Sequence, residues 1–312
     1  MKTVTIIGSG AVGAMYGLRL RNLLGKENVI FLADENRRAR YAKEPLYLNG
    51  KRADFTFVDP KDAQASDLVI LATKNLQLEE AVRQIECAVG EGTVILSLLN
   101  GIESEVRLSE AYGEAHVLYA FAVGLNSTHV GNNIDFSEEG RIVFGEKDNS
   151  SSGRVQAICS LFERSLIRYV VPKDIRVELW KKFMLNTAFN TISALCRATY
   201  GDLKQESVKT LAWRASKEVQ AVGEKEGVFL TDAMIEDNYA IVTALGYDGK
   251  TSMCQDMEAQ RKTENGWFCS AVVRLGKKHV IPTPTCEVLS LLVEASEGVY
   301  LRQKEAPVQP SP

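Results

Sequence analysis

The first half of the chain alternates short apolar runs with segments of helical periodicity. DLVILAT at 67–73 is apolar almost throughout, as expected of a parallel strand that is covered on both faces. The segment at 78–89 carries its apolar residues at helical spacing instead. This alternation, which continues to about residue 170, predicts a doubly wound α/β domain. The predicted strands lie at 2–7, 28–33, 67–73, 93–99, 116–126 and 141–146, and an Asn49-Gly50 turn predicts a hairpin between YLN and ADFTFV.

The pattern becomes helical beyond Pro172, and almost no strand-like alternation remains. We therefore predict a second domain that is all-α. The proline-rich end of the chain, KEAPVQPSP, is typical of a disordered tail. The predicted organisation is an α/β domain at 1–172, a helical domain at 173–303 and a tail at 304–312. The predicted helices lie at 174–198, 204–227, 231–245, 252–279 and 284–302.

The helix predicted at 178–195 is apolar on nearly every side. Lys182, Asn186 and Asn190 interrupt it every four residues, which places them on one helix face. A lysine in such surroundings needs a partner or loses its proton. The row predicts either a lined functional site or, as the alternative, a polar seam of the core or of a subunit contact.

A glycine-rich turn follows the N-terminal strand and precedes a helix. In this setting the first glycine permits a tight turn, the second lets backbone approach a pyrophosphate, and the third permits close helix packing. The helix N-terminus offers free N–H groups to phosphates. A purely structural glycine turn is the alternative. The residues predicted to bind a dinucleotide are Gly8, Ser9, Gly10, Ala11, Val12 and Gly13.

The end of the second strand bears on the identity of the dinucleotide. Asp34 occupies the position of an acid that binds the ribose diol of NAD. Arg37, followed by Arg38 and Arg40, offers a guanidinium to the 2′-phosphate of NADP. A solvated helix start is the alternative explanation of these arginines.

Two loops follow buried strands, at the edge where open α/β sheets bind ligands. Lys74, after the strand at 67–73, is placed to meet a cofactor phosphate. Asn100, after the strand at 93–99, is placed to hydrogen-bond a carboxamide or a substrate. The alternative is that both are turn residues, because Asn-Gly turns are common.

The segment TSMCQDMEAQRKTE in the second half also holds polar candidates. Ser252 is placed to cap a helix that runs through the segment. Glu264 is placed to hydrogen-bond a bound hydroxyl, and Asp256 to form an ion pair with Arg261. Spacing alone favours a structural role for each of them.

The composition excludes several classes of function. A net charge of −3 gives no reason to expect nucleic acid or an anionic membrane as partner, and no run of 18 apolar residues spans a membrane. The six cysteines and three histidines are scattered, without metal-ligand spacing, so we expect no metal. Unpaired cysteines and an N-terminus without signal-peptide layout predict a cytoplasmic protein.

Together these motifs resemble the ketopantoate reductase (2-dehydropantoate 2-reductase) family, from GSGAVG to about residue 302. The glycine motif is shared with many Rossmann enzymes. The W-x-K-x-x-x-N helix, with S-M-x-x-D and T-E downstream, is far more specific. The matching segments, in the family's order, are IIGSGAVGAMYG, ATKNLQ, SLLNGIES, ELWKKFMLN with Asn190, TSMCQDMEAQRKTE and AVVRLGKKHVIPTPT.

The resemblance implies a Rossmann-like domain followed by a helical domain of the 6-phosphogluconate-dehydrogenase-like type. It also implies roles for residues. Lys182 matches the catalytic lysine, which hydrogen-bonds the ketone and delivers a proton. Glu264 matches the carboxylate that helps orient ligand in the closed site, so it is expected to be both a catalytic and a cofactor-binding residue. The remaining matches are Asn186, Asn190, Ser252 and Asn100 for substrate, and Lys74 and Asn100 for cofactor.

The implied reaction is the NADPH-dependent reduction of 2-dehydropantoate to (R)-pantoate in pantothenate biosynthesis. A cation at the ketone oxygen stabilises the developing negative charge, and an ammonium, unlike a guanidinium, can also give up its proton. Asp34 stands where the family often has Arg, so NAD(H) stays open beside NADP(H).

Other departures bear on the substrate: Asn265-Gly266-Trp267 replaces the family's usual aliphatic residue and Asp, and Ala198-Thr199-Tyr200-Gly201 stands where some members carry a further Asn. The alternatives are an NADH-dependent reductase of other branched 2-keto acids (a D-2-hydroxyacid dehydrogenase) and a catalytically silent dinucleotide-binding protein. The expected partner is a small 2-keto acid, and the expected assembly a monomer or homodimer.

Overall fold

The structure of the protein, a computed structural model, describes residues 1–305. The chain divides into two compact units, Met1–Arg176 and Val177–Pro312, whereas we predicted the division after Pro172. The predicted start of the tail needs correction, because Lys304 still belongs to the last helix. Its Nζ donates to the carbonyl of Gln260 at 2.9 Å. Residues 306–312 of the predicted tail lie outside the described residues.

Ten strands of the described chain form a single sheet in unit 1. They are β1 (Val4–Ile7), β2 (Val29–Leu32), β3 (Tyr47–Leu48), β4 (Lys51–Arg52), β5 (Thr56–Val58), β6 (Leu68–Leu71), β7 (Val94–Ser97), β8 (Val117–Val130), β9 (Asn133–Gly145) and β10 (Tyr169–Val170). The parallel strands run in the order β5-β2-β1-β6-β7-β8, which is the doubly wound order of dinucleotide-binding domains. β9 pairs antiparallel with β8, while β3, β4 and β10 complete that side of the sheet.

Helices cover both faces of this sheet. They are α1 (Ala11–Leu24), α2 (Glu35–Lys43), α3 (Leu78–Gln84), α4 (Ser104–Tyr112) and α5 (Gly153–Arg164). Neighbouring strand residues face opposite ways, so Ile6 joins the core under α1 and α5, and Ile7 joins the core under α3 and α4. This double burial explains why the strands are continuously apolar, and the α/β prediction is confirmed.

The hairpin predicted at Asn49-Gly50 forms, but with a different second strand. Both residues have positive φ, 46° and 72°, as a type I′ turn requires. β3 pairs with Lys51–Arg52, whereas Thr56–Val58 runs parallel to β2. The prediction that ADFTFV is the partner strand was wrong. The Phe57 ring packs 5.6 Å from the ring of Phe31, so aromatic burial draws this segment into the main sheet.

Unit 2 contains helices and no strand in its described residues, as predicted. Its helices are α6 (Ile175–Leu185, which begins in unit 1), α7 (Thr191–Cys196), α8 (Glu206–Lys225), α9 (Asp232–Thr243), α10 (Ser252–Glu258), α11 (Cys269–His279) and α12 (Pro284–Glu305). No helix in residues 1–305 is long and apolar enough to cross a membrane.

The long helix predicted at 174–198 is interrupted by a π-helical turn at Asn186–Asn190, which joins α6 to α7. A π turn leaves backbone carbonyls without their usual partner, and side chains of other elements contact this one. The Cys269 thiol, at the start of α11, donates to the Thr187 carbonyl at 3.4 Å. Periodicity could not predict the interruption, because its stabilising partner lies far away in the sequence.

The helix predicted to start at Ser252 is shorter than expected, because α10 ends at Glu258. Thr251, rather than Ser252, is its N-cap: the Thr251 hydroxyl accepts the Cys254 N–H at 3.2 Å. Ser252 is the first helical residue, and its side chain is exposed. The expected ion pair of Asp256 with Arg261 is present, with 2.8 Å between nitrogen and oxygen.

Candidate active site

In unit 1, the residues predicted to bind cofactor meet at one edge of the sheet. β1 is flanked by β2, which precedes the crossover, and by β6, which follows it. In parallel register, Ile7 stands beside Leu32 and Leu71. The residues after these strands therefore share the switch-point edge, where open α/β sheets bind ligands.

The three glycines of the turn differ in whether the fold leaves room for a side chain at their positions. A Cβ at Gly8, where φ is +101°, would lie 2.4 Å from the Ala72 carbonyl oxygen. A Cβ at Gly13 would lie 1.9 Å from the Gly8 carbonyl oxygen. Gly10 has an extended backbone, and its Cβ would meet nothing within 4 Å. The fold requires Gly8 and Gly13, whereas the packing of the chain leaves room for a side chain at position 10.

The first turn of α1 fits an anionic group. Its N-cap is Gly10, which offers no side-chain cap, and its first turn holds no acidic residue. The free N–H groups and the helix dipole therefore favour a phosphate here. Ala11 and Val12 are half-buried, and the Ser9 hydroxyl is 2.7 Å from the Tyr41 hydroxyl of α2. A pyrophosphate group fits the residues present.

Asp34 caps α2 at the end of β2. Its Oδ1 accepts the Arg37 N–H at 2.7 Å, and its Oδ2 is 3.5 Å from Arg37 Nε. Arg38 pairs with Asp59 at 2.8 Å. The acid and the arginine that were predicted to favour different dinucleotides are therefore immediate neighbours.

The loops after β6 and β7 are linked to each other. The buried Asn75 donates from its side-chain amide to the Asn100 carbonyl at 2.9 Å. Lys74 is exposed, and Asn100 is half-buried. The structure thus brings these two predicted residues to the same edge through Asn75, whose linking role the sequence did not reveal.

In unit 2, helix geometry sets Lys182, Asn186 and Asn190 along one line of α6 and the π turn. Four residues of α-helix overshoot a full turn by about 40°. A π turn holds more residues than an α-helical turn, so four of its residues fall short of a full turn. The offset from Lys182 to Asn186 and the offset from Asn186 to Asn190 therefore have opposite signs. Asn186 and Asn190 are buried and Lys182 is half-buried. The interruption therefore keeps Asn190 in line with Lys182.

A hydrogen bond between the two side-chain amides determines which of their donors and acceptors remain available. Asn190 Nδ2 donates to Asn186 Oδ1 at 3.1 Å. Asn186 is left with its N–H donors and Asn190 with its amide oxygen, and neither group has another partner in the described residues. The pair can bind a ligand that accepts a hydrogen bond at one point and donates one at another.

A buried network ties this pair to the start of α10. The Ser193 hydroxyl donates to the Asn190 carbonyl at 3.2 Å and also hydrogen-bonds Thr251. Because Thr251 caps α10, the network fixes the start of this helix, where the exposed Ser252 is the first helical residue, relative to the two amides. Burial is the main cause that raises the pKa of the Cys254 thiol, so this neighbour stays neutral. The sequence singled out neither Ser193 nor Thr251. The one signal for Ser193 was its position three residues after Asn190, from which a helical serine can reach the Asn190 carbonyl.

Glu264 lies in the buried part of the connection between α10 and α11, together with Thr263 and Asn265. Thr263 donates its N–H to Glu297 at 2.8 Å, and the Asn265 side-chain amide donates to the Ser290 hydroxyl at 3.1 Å. These two flanking bonds fix the backbone on both sides of the buried carboxyl group. Residues 1–305 hold no group of three His, Cys, Asp or Glu side chains placed to bind a metal.

Known families match both units. The family profile described as "Ketopantoate reductase PanE/ApbA" matches residues 4–149, and its C-terminal counterpart matches residues 174–297. The chain belongs to the ketopantoate reductase family. The resemblance drawn from the motifs is confirmed, and membership makes the protein an oxidoreductase of this family.

Individual relatives of the family are distant but span nearly the whole chain. The 2-dehydropantoate 2-reductase of Streptococcus pyogenes is 26% identical over 303 residues, which cover 95% of this chain and 98% of the relative. The crystal structure of 2-dehydropantoate 2-reductase from Geobacter metallireducens is 26% identical, with a TM-score of 0.83, over 94% of this chain and 99% of that one.

A second solved structure bears the name of another activity. It is the ternary structure of D-mandelate dehydrogenase with NADH and anilino(oxo)acetate, 23% identical with a TM-score of 0.85. The match covers 96% of this chain and 99% of that one. At this identity the likeness shows the fold, which ketopantoate reductases and this dehydrogenase share.

Glycine substitutions test the dinucleotide site. We expect Gly10→Ala to leave thermal unfolding unchanged, because its Cβ enters open space, and to weaken NADPH and NADH binding by about tenfold. Gly13→Ala is the contrasting control: its collision with Gly8 should destabilise the fold by about 2 kcal/mol. Fluorescence titration of cofactor beside unfolding curves measures both effects. Unchanged cofactor affinity in Gly10→Ala would contradict the assignment.

Proposed function

We propose that the protein reduces 2-dehydropantoate to (R)-pantoate with NADPH. The observation that carries the proposal is the polarised amide pair, Asn190 to Asn186 at 3.1 Å, in line with Lys182. A 2-keto acid that also bears a hydroxyl group matches it: the keto acid accepts hydrogen bonds, and the hydroxyl donates one to the Asn190 amide oxygen.

The proposal assigns dinucleotide binding to unit 1. The Gly8–Gly13 turn and the first turn of α1 hold the pyrophosphate, and Lys74 and Asn100 contact the cofactor from the neighbouring loops. The bound dinucleotide supplies the hydride. Among the supporting observations, the open space at Gly10 counts most, because the fold itself does not require glycine there.

Unit 2 supplies the groups that handle the substrate. Lys182 directs its ammonium at the ketone oxygen, stabilises the negative charge that develops there, and donates the proton that completes the hydroxyl. Asn186 and Asn190 orient the keto acid, and Ser252 binds its polar end from α10. Glu264 orients ligand by accepting a hydrogen bond from a hydroxyl group.

A second candidate function is the NADH-dependent reduction of other 2-keto acids. Asp34 favours it, because a carboxylate at the end of β2 suits a ribose diol and repels a 2′-phosphate. The named D-mandelate dehydrogenase structure contains NADH, and it shares this fold. The two candidates differ in cofactor and in the need for a substrate hydroxyl.

A four-way assay separates the candidates. Ketopantoate and 2-ketoisovalerate, which lacks the hydroxymethyl group, are each reduced with NADPH and with NADH, and kcat/KM is compared. We expect ketopantoate to be preferred by about 10²-fold, because the analogue leaves the Asn190 amide oxygen unpaired. Equal rates for both substrates would favour the second candidate. Cofactor binding without turnover of any 2-keto acid would instead indicate a silent binding protein.

Substitution of Lys182 tests the proton donor. Lys182→Ala should lower kcat by about 10²–10⁴-fold, the range for loss of a general acid. Lys182→Arg should remain impaired, since a guanidinium keeps the charge but does not release a proton. Lys181→Ala is the mild control, because Lys181 pairs with Asp237 of α9 at 2.8 Å. Near-normal turnover of Lys182→Ala would remove Lys182 from the mechanism.

Asp34→Asn tests the cofactor preference. Asparagine keeps the helix cap and removes the charge, so affinity for NADPH relative to NADH should rise by about tenfold. Glu35→Gln makes the same change of charge one residue further on, at an exposed side chain, and should have little effect. Dissociation constants for both cofactors measure the ratio. An unchanged ratio would show that Asp34 does not face the ribose.

A further inference from the structure

The connection between α10 and α11 takes hydrogen-bond partners from α12. Residues 261–264 belong to no helix or strand, so their backbone groups need partners elsewhere. Near the end of α12, the Tyr300 hydroxyl donates to the Arg261 carbonyl at 2.7 Å. Burial raises the pKa of Tyr300 to about 12, so the hydroxyl keeps the proton that it donates. α12 thus holds this connection from a distant part of the sequence.

Glu297 of α12 binds the residue directly before Glu264. One of its carboxyl oxygens, Oε1, accepts the Thr263 N–H at 2.8 Å and also the Thr263 hydroxyl. Thr263 is 2% exposed and Glu297 is 8% exposed, so removing the carboxyl would leave two buried donors unsatisfied. One acceptor atom therefore holds both hydrogen-bond donors of Thr263.

The Thr263 hydroxyl also reaches the residue after Glu264. Its oxygen accepts the Asn265 N–H at 3.3 Å. The Glu264 carbonyl in turn accepts the Trp267 N–H at 2.9 Å. The backbone on both sides of Glu264 is thus bonded, directly or through Thr263, to a single side chain of α12. A fixed backbone limits the buried Glu264 carboxyl to its side-chain rotamers.

We propose that Glu297 is a positioning residue for Glu264. This role rests on the proposed function, in which Glu264 orients ligand by accepting a hydrogen bond. Such a bond tolerates little displacement, because small errors in the placement of a ligand-binding group lower the rate steeply. α12 is a suitable base, since it is 22 residues long and its Leu289 and Val293 are buried. Glu297 does not itself bind ligand in this arrangement, because it acts by holding Thr263.

A double-variant cycle tests whether Glu297 acts through Glu264. Glu297→Leu removes the acceptor at similar volume and should lower kcat/KM for ketopantoate with NADPH by about tenfold. In the Glu264→Ala background the same change should cost less than about twofold, because the positioned carboxyl is already absent. A merely structural residue would lower kcat/KM by the same factor in both backgrounds.

Matched variants separate the hydrogen bonds from side-chain size. Glu297→Gln keeps a carbonyl oxygen for the two Thr263 donors and should retain at least about half of the wild-type kcat/KM. Glu287→Leu makes the same change at an exposed position of α12 and should leave kcat/KM unchanged. Thr263→Val removes the hydroxyl but keeps the N–H, so it should lower kcat/KM by about threefold, again only when Glu264 is present. Thr263→Val decides the question if Glu297→Leu does not fold.

The possible results separate this role from the proposed function. Wild-type kcat/KM in Glu297→Leu, or equal losses with and without Glu264, would overturn the positioning role and leave the proposed function standing. The same two results in Thr263→Val have this meaning where that variant decides. Wild-type kcat/KM in Glu264→Ala would refute the role of Glu264, and a wild type that does not reduce ketopantoate would refute the proposed function. Either of these last two results would also overturn the role of Glu297, since it depends on both.

Discussion

The contact between Gly13 and the Gly8 carbonyl is the constraint on which the nucleotide-binding edge depends. α1 can lie against β1 only because position 13 has no Cβ, which would stand 1.9 Å from that oxygen. Gly8 in turn touches the backbone of Ala72, so the turn after β1 and the loop after β6 are fitted to each other. This packing directs the first turn of α1 towards the switch point and leaves Gly10 facing open space. A short glycine motif thereby fixes the position of a helix dipole relative to β1 and β6 of the parallel sheet.

In unit 2 the main constraint is the free-energy cost of burying polar side chains. Amides in an apolar helix cost free energy unless they are hydrogen-bonded. Asn186 and Asn190 partly satisfy each other, and the π turn that aligns them is held by Cys269, Ser193 and, through Ser193, Thr251. The unsatisfied half of each amide is then available for a ligand. The row therefore forms a hydrogen-bonded polar seam of the core, and this seam holds the amides in the positions that the proposed site requires.

The cofactor-binding edge of unit 1 places opposite charges side by side. Asp34 caps α2 and contacts Arg37, so its carboxylate is held by the backbone and partly neutralised by its neighbour. Side chains on this helix are half-exposed, and electrostatic effects there are modest and screened by salt. If the dinucleotide binds here as proposed, the preference between two cofactors that differ by one phosphate would be set by a small balance of charges rather than by shape.

Local pattern determined the two-domain organisation, the order of most strands and helices, and the positions of the chemistry-bearing residues. The buried strands, the glycine turn and the polar row in the helix can each be recognised within a few residues of sequence, because periodicity and steric limits act locally.

Tertiary structure decided what depends on distant partners. The segment around Phe57 pairs with β2 rather than with the hairpin, because the Phe57 ring packs against the Phe31 ring. The π turn exists beside Cys269, 82 positions from Thr187. Thr251 caps α10 where Ser252 seemed as suitable by residue type, because backbone geometry and the Ser193 contact select one hydroxyl. The sequence by itself named the polar row, and the folded chain decided which donors and acceptors of that row remain available, since hydrogen bonds are settled only when distant segments meet.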